Sequence, residues 1–126
     1  MKDGALEGYS VLVVEDDFLV AEVLVDILED AGAKVVGPFG WVDEGVGAVN
    51  DSKGTIDCAV LDINLHGLKS YPIADALKAH NIPFVFTTGY SGEAIPDAYR
   101  PFPRYEKPFN PERLIRALAT AKRHRS

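Results

Sequence analysis

Short unbroken apolar runs alternate along this chain with apolar positions spaced as one face of a helix. Val11-Leu12-Val13-Val14 is the first such run, and it ends in three acids, Glu15-Asp16-Asp17. Val20, Val23, Leu24, Ile27 and Leu28 then recur at the spacing of an amphipathic helix. Asp17 stands where a cap would start that helix and Gly32 where a glycine would end it. Lys34-Val35-Val36 predicts a short second strand closed by Gly37-Pro38, and a weak helix follows over 42–50, where Gly45 and Gly47 lower helical propensity. The third strand is expected over 56–61, ending against Asp62, and the third helix over 71–80, with Ile73, Ala74 and Leu77 on one face. A fourth strand over 83–87 runs into Thr88-Gly89.

The stretch 91–105 contains Pro96, Pro101 and Pro103, which remove donors and interrupt helical turns. It supports at most a one- or two-turn helix around 93–99, then a short fifth strand over 104–106. Few apolar residues there stand at helical spacing, so the segment is expected to be short or mobile and to order when a ligand engages the site. The final helix is clear, with Asn110 as cap, Pro111 at its first position, and Leu114, Ile115 and Leu118 facing inward. Strands alternating with helices define an α/β fold, a doubly wound five-stranded parallel sheet with helices on both faces. The fourth of those helices is short or irregular.

The 126 residues suit one domain, with its core at about 10–121, and are too few for two. A net charge of −6 disfavours indiscriminate nucleic-acid binding, and no nucleic-acid partner is expected. The basic end Lys122-Arg123-His124-Arg125 is accounted for by complementing a helix dipole. Residues 1–9 lack the apolar core of a signal peptide and no run is long enough to cross a bilayer, so the chain reads as soluble and cytoplasmic, without a membrane partner. The single cysteine, Cys58, lies within a strand run and reads as a buried thiol.

Ligands of open α/β sheets bind beyond the carboxyl ends of the strands. Glu15, Asp16, Asp62, a threonine and Lys107 all fall at such ends or just past them. Adjacent acids at a buried strand end repel one another, and a divalent cation would relieve that; hard oxygen ligands suit Mg²⁺. Lys107, held by Pro108 and Phe109, would be a fixed point charge for a phosphoryl oxygen. Between Thr87 and Thr88, the latter is preferred because Gly89 follows and lets the backbone approach a ligand. Asp17 reads as a cap. His66 reads as an exposed loop histidine, since no cysteine or second histidine accompanies it at zinc spacing. Trp41 has no assigned role.

Leu-Val-Val-Glu-Asp-Asp at 12–17, Leu-Asp-Ile-Asn at 61–64, the threonine ending the fourth strand and Lys-Pro-Phe at 107–109 together resemble the receiver domain of bacterial two-component response regulators, over about 10–121. Residues 83–90 further resemble a branch that reads Phe-Ala-Thr-Gly-Tyr here, with Thr87 in the alanine's place; many members of that branch are single-domain proteins. The resemblance implies a flavodoxin-like arrangement and a phosphoacceptor signalling protein rather than an enzyme. It makes Asp62 the phosphoacceptor and assigns Mg²⁺ to Asp16 and Asp62, to Glu15 through water, and to the backbone carbonyl of Asn64. Thr88 and Lys107 would contact the phosphoryl oxygens. The implied donor is a histidine kinase or histidine phosphotransfer protein within a phosphorelay, and the output passes through contacts with another protein. Arg104, beside Tyr105, stands where many receivers carry a switch aromatic. An aspartyl phosphatase would carry a general acid two residues past its nucleophile, where this chain has Asn64.

Overall fold

In the computed structural model, residues 4–89 and 94–121 are described. The basic end 122–125 and positions 90–93 of the proline-rich stretch lie outside them. Strand β1 (Ser10–Val14) leads into α1 (Phe18–Asp30), β2 (Lys34–Phe39), α2 (Val42–Asn50) and β3 (Cys58–Asp62). A two-stranded hairpin, β4 (Asn64–Leu65) and β5 (Leu68–Lys69), precedes α3 (Tyr71–Ala79) and β6 (Phe84–Thr88). A single 3-10 turn (Asp97–Tyr99), β7 (Arg104–Glu106) and α4 (Pro111–Thr120) complete the order. The main sheet runs β2-β1-β3-β6-β7 with every neighbouring pair parallel, the doubly wound flavodoxin-like order.

Strand residues alternate between two cores, as the period of two requires. Leu12, Val14, Leu61, Phe84 and Phe86 pack with Val49 of α2 and Ile73 and Leu77 of α3. Val11, Val13, Val60 and Val85 pack on the other face with Leu24 and Leu28 of α1 and Leu114, Ile115 and Leu118 of α4. Leu6, upstream of the span expected for the core, is fully buried in this second cluster, and its N–H donates to Ala31 O at 2.9 Å. Gly45, read as a weakness of α2, permits close packing instead: a Cβ there would lie 2.4 Å from Ile73 Cδ1.

Two expectations are corrected. Strand β2 does not stop at Gly37-Pro38 but continues to Phe39, with a register shift against β1 between Leu12 and Val14. Gly37 makes this possible at φ +105, where a side chain would meet Val13 O. Among its described residues the stretch after β6 holds one helical turn, in keeping with its prolines, yet it has anchors that a search for helical spacing overlooked. Ile95 is buried, Tyr99 stacks on Tyr71 with centroids 4.4 Å apart, and Phe102 stacks on Phe84 at 4.5 Å.

Candidate functional site

Each polar group of the site is set by the element that ends beside it. Glu15 follows β1, and its N–H donates to Phe39 O at 2.9 Å, a partner supplied by the extension of β2. Asp17 caps α1, accepting from Leu19 N and Val20 N, as the sequence suggested. Its own N–H donates to Glu15 Oε2 at 3.0 Å, which ties the helix start to the buried acid. Asp62 is the last residue of β3 and pairs in register with Thr87. Lys107 follows β7, where its N–H donates to Thr88 O at 2.9 Å.

These positions bring Glu15, Asp16 and Asp62 together, with one carboxylate oxygen of each within 4.8 Å of the others. Lys107 Nζ lies 2.6 Å from Glu15 Oε1 and donates to Asp62 Oδ2 at 2.9 Å. The Glu15 contact is a short ion pair rather than an aligned hydrogen bond, and that buried oxygen has no hydrogen-bond partner among the described residues. Burial, followed by the hydrogen bond with Asp62, pushes the Glu15 carboxyl up to about 7, against the opposing pull of Lys107 and the Asp17 amide. Burial alone would lower Lys107, but its contacts with Glu15 and Asp62 outweigh that and raise it. At Asp16, burial is outweighed by the His66 N–H, which donates to Oδ2 at 2.8 Å, and by the contact with Glu15; its carboxyl sits below the usual range. Three carboxylates answered by one ammonium leave a net negative site. That donor set, three oxygen-bearing carboxyl groups converging at a buried strand end with one ammonium among them, fits a hard divalent cation.

Asn64 opens β4; its N–H donates to Asp62 Oδ1 at 3.3 Å and its side-chain oxygen accepts from Lys69 Nζ at 2.7 Å. Thr88 is buried and touches the site through its backbone carbonyl to Lys107. By strand alternation it shares the face of Phe86, whereas Thr87 shares that of Val85. The Thr87 hydroxyl is buried and has no hydrogen-bond partner among the described residues. Arg104 is exposed, while Tyr105 packs on the α1/α4 core, with the Arg113 guanidinium 6.0 Å from its ring centre. Sequence reasoning missed the amide of His66 as a partner of Asp16. The signal was present: His66-Gly67 between Leu65 and Leu68 is a two-residue hairpin turn with glycine second.

With this geometry in hand, comparison with known proteins identifies the class. The family model of the response regulator receiver domain matches residues 11–119, and the chain belongs to that family. It is 42% identical to SdrG from Sphingomonas melonis Fr1, covering 93% of this chain and 97% of that one with a TM-score of 0.79. The BeF3-activated conformation of SdrG from Pseudomonas melonis Fr1 matches at 40% identity, 94% and 97% coverage and a TM-score of 0.73. YbdJ, a transcriptional regulatory protein of Bacillus subtilis (strain 168), is 25% identical over 94% of this chain; the chain spans 53% of that curated relative, about half its length. Receivers are signalling phosphoacceptors of two-component systems. No helix among the described residues is long and apolar enough to cross a membrane.

Proposed function

We propose that this protein accepts a phosphoryl group on Asp62 from the phosphohistidine of a kinase or phosphotransfer protein, and that it signals in the cytoplasm through contact with another protein. The observation that carries this reading is Lys107 Nζ held between Glu15 Oε1 and Asp62 Oδ2 at the carboxyl edge of the sheet. An Asp62 oxygen attacks phosphorus in line, forming an acyl phosphate, while the nitrogen–phosphorus bond breaks and the donor imidazole keeps the electron pair. No base is required, because the nucleophile is an anion. Glu15, Asp16, Asp62 and the Asn64 carbonyl would hold Mg²⁺, which screens the attacking oxygen from the negative phosphoryl oxygens. Lys107 moves its contact from the Asp62 carboxylate to a phosphoryl oxygen and neutralises the charge it gains.

Two features support the rest. A groove of about 520 Å³ lined by Leu19, Val20, Val23, Ile27, Pro108 and Phe109 opens beside Lys107, and Leu19 is 70% exposed. A donor seated there brings its phosphohistidine to the site. By strand alternation Thr88 shares the face of Phe86, whose ring meets Tyr71 and Tyr99 edge to face. Drawing its hydroxyl to a phosphoryl oxygen would therefore disturb the packing of the segment after β6. Incubation with a phosphohistidine donor or acetyl phosphate should give a Mg²⁺-dependent, hydroxylamine-labile label that Asp62→Asn abolishes. Equal labelling of Asp62→Asn would overturn the assignment.

A further inference from the structure

Two side chains beside the site take no part in that chemistry. The β4–β5 hairpin turns at His66-Gly67 with φ +50 and +83, a two-residue turn of the kind that favours asparagine or glycine at its first position. Histidine is disfavoured in this left-handed region because its Cβ crowds the backbone. Two contacts hold it there. One is the hydrogen bond from its N–H to Asp16 Oδ2 at 2.8 Å. The other is a parallel stack of its ring on Trp41, with centroids 3.7 Å apart and planes 15° from parallel. Trp41 precedes α2 in the cap position but makes no side-chain cap bond, and it remains 49% exposed. A Cβ placed at the preceding Gly40 would lie 3.6 Å from both Asp16 Cα and His66 Nε2, so three loops converge at this point.

We propose that Trp41 is a positioning residue for the cation: its stack on His66 holds the hairpin turn with the His66 amide on Asp16 Oδ2, fixing one rotamer of that carboxylate and leaving its remaining lone pairs to the metal. The inference rests on the reading of Glu15, Asp16 and Asp62 as a divalent-cation site. Neither ring ligates; the stack offsets the cost of His66 in its turn, and the turn presents the amide. Because Trp41 is the single tryptophan, its emission reports the state of this contact.

The test is titration of the full chain with MgCl₂, followed by calorimetry and by tryptophan emission. Trp41→Ala should weaken Mg²⁺ binding about tenfold, the lower end of the loss typical when a group orienting a metal ligand is removed. Its metal-free melting temperature should barely change, and Trp41→Phe should restore most of the affinity. In a His66→Gly background, where glycine adopts the turn without cost, Trp41→Ala should have no further effect. Equal affinity of wild type and Trp41→Ala would overturn the proposal, as would an undiminished loss in the His66→Gly background. Should Trp41→Ala fail to fold, Trp41→Leu, which keeps apolar volume without a ring to stack, decides: a Mg²⁺ affinity equal to wild type refutes the proposal, and a loss of about tenfold supports it. Absence of any Mg²⁺ binding by wild type would instead remove the metal-site reading, and this inference with it.

Discussion

The two halves of the sheet's carboxyl edge are held together by opposite means. At β1, β3 and Lys107 the contacts are polar: three carboxylates, one ammonium and a few backbone amides, with the Glu15 carboxyl buried against Lys107. At β6, β7 and the segment between them the contacts are aromatic: Tyr71, Phe84, Phe86, Tyr99 and Phe102 stack or meet edge to face. The first half carries charge repulsion that a ligand can relieve; the second is held by ring packing without one. On the proposed reading, a phosphoryl group on Asp62 would add negative charge to the first, to be offset by Lys107 and a bound cation, and would draw on the second through Thr88.

The largest expected effect is on the polar half. Saturating Mg²⁺ should raise stability because it binds the folded cluster alone, by about 2.7 kcal/mol at 100 times its dissociation constant. Asp16→Ala should abolish most of that shift in a thermal melt, while Phe102→Ala should leave it intact. A full shift in Asp16→Ala would locate the cation elsewhere and dissolve the contrast. Phe102→Ala should itself cost about 2 kcal/mol, less than a fully buried phenylalanine, since the ring is half-exposed while stacked on Phe84. Chemical denaturation without metal measures this, and a loss under about 0.5 kcal/mol would mean that the segment after β6 is not anchored as described.

Much of the polar half was legible in the sequence because strand ends in a parallel sheet share one edge, so Glu15, Asp62 and Lys107 converge whatever the loops do. The cap at Asp17 and the start of α4 at Asn110 were legible for an equally local reason, the side-chain bond to the helix N–H groups. The aromatic half was not. Ile95, Tyr99 and Phe102 follow no helical or strand period, and only the approach of Tyr71 and Phe84 from distant positions makes them a core. The β4–β5 hairpin is local and its turn at His66-Gly67 was there to be read, whereas the Trp41–His66 stack was hidden as the aromatic half was, since it joins loops far apart in sequence. Likewise, the continuation of β2 past Gly37-Pro38 is set by its pairing with β1 rather than by local propensity.

Titration gives a finer comparison. In metal-free protein the Glu15 carboxyl stands at about 7 against 4.5 unperturbed. Between those values the folded state binds more protons than the unfolded chain, so stability falls as pH rises. The contribution of Glu15 is therefore greatest below about 4.5 and gone above about 7, with a slope of at most about 1.4 kcal/mol per pH unit. Glu15→Gln should flatten this part of the profile in EDTA, whereas Phe102→Ala should lower the whole curve and preserve its shape. A Glu15→Gln profile parallel to wild type would show that the buried acid is not the group responsible.

The smallest effect tests whether the aromatic half needs the polar tie between Tyr99 and α3. Tyr99 Oη donates to Asp75 Oδ1 at 2.7 Å on the exposed side of α3, and Lys78 Nζ sits 5.6 Å from the Tyr99 ring centre. The hydrogen bond reaches a charged acceptor, but water competes for both groups, so Tyr99→Phe should cost only about 0.5–1 kcal/mol. The stack on Tyr71 survives that substitution, and amide exchange at Phe102, whose N–H donates to Tyr99 O, should stay close to wild type. Tyr99→Ala removes both contacts and should speed that exchange well beyond the Phe variant. If Tyr99→Phe and Tyr99→Ala accelerated exchange equally, the segment after β6 would be held by its hydrogen bond, and the division between a polar and an aromatic half of the edge would fail where it is drawn most sharply.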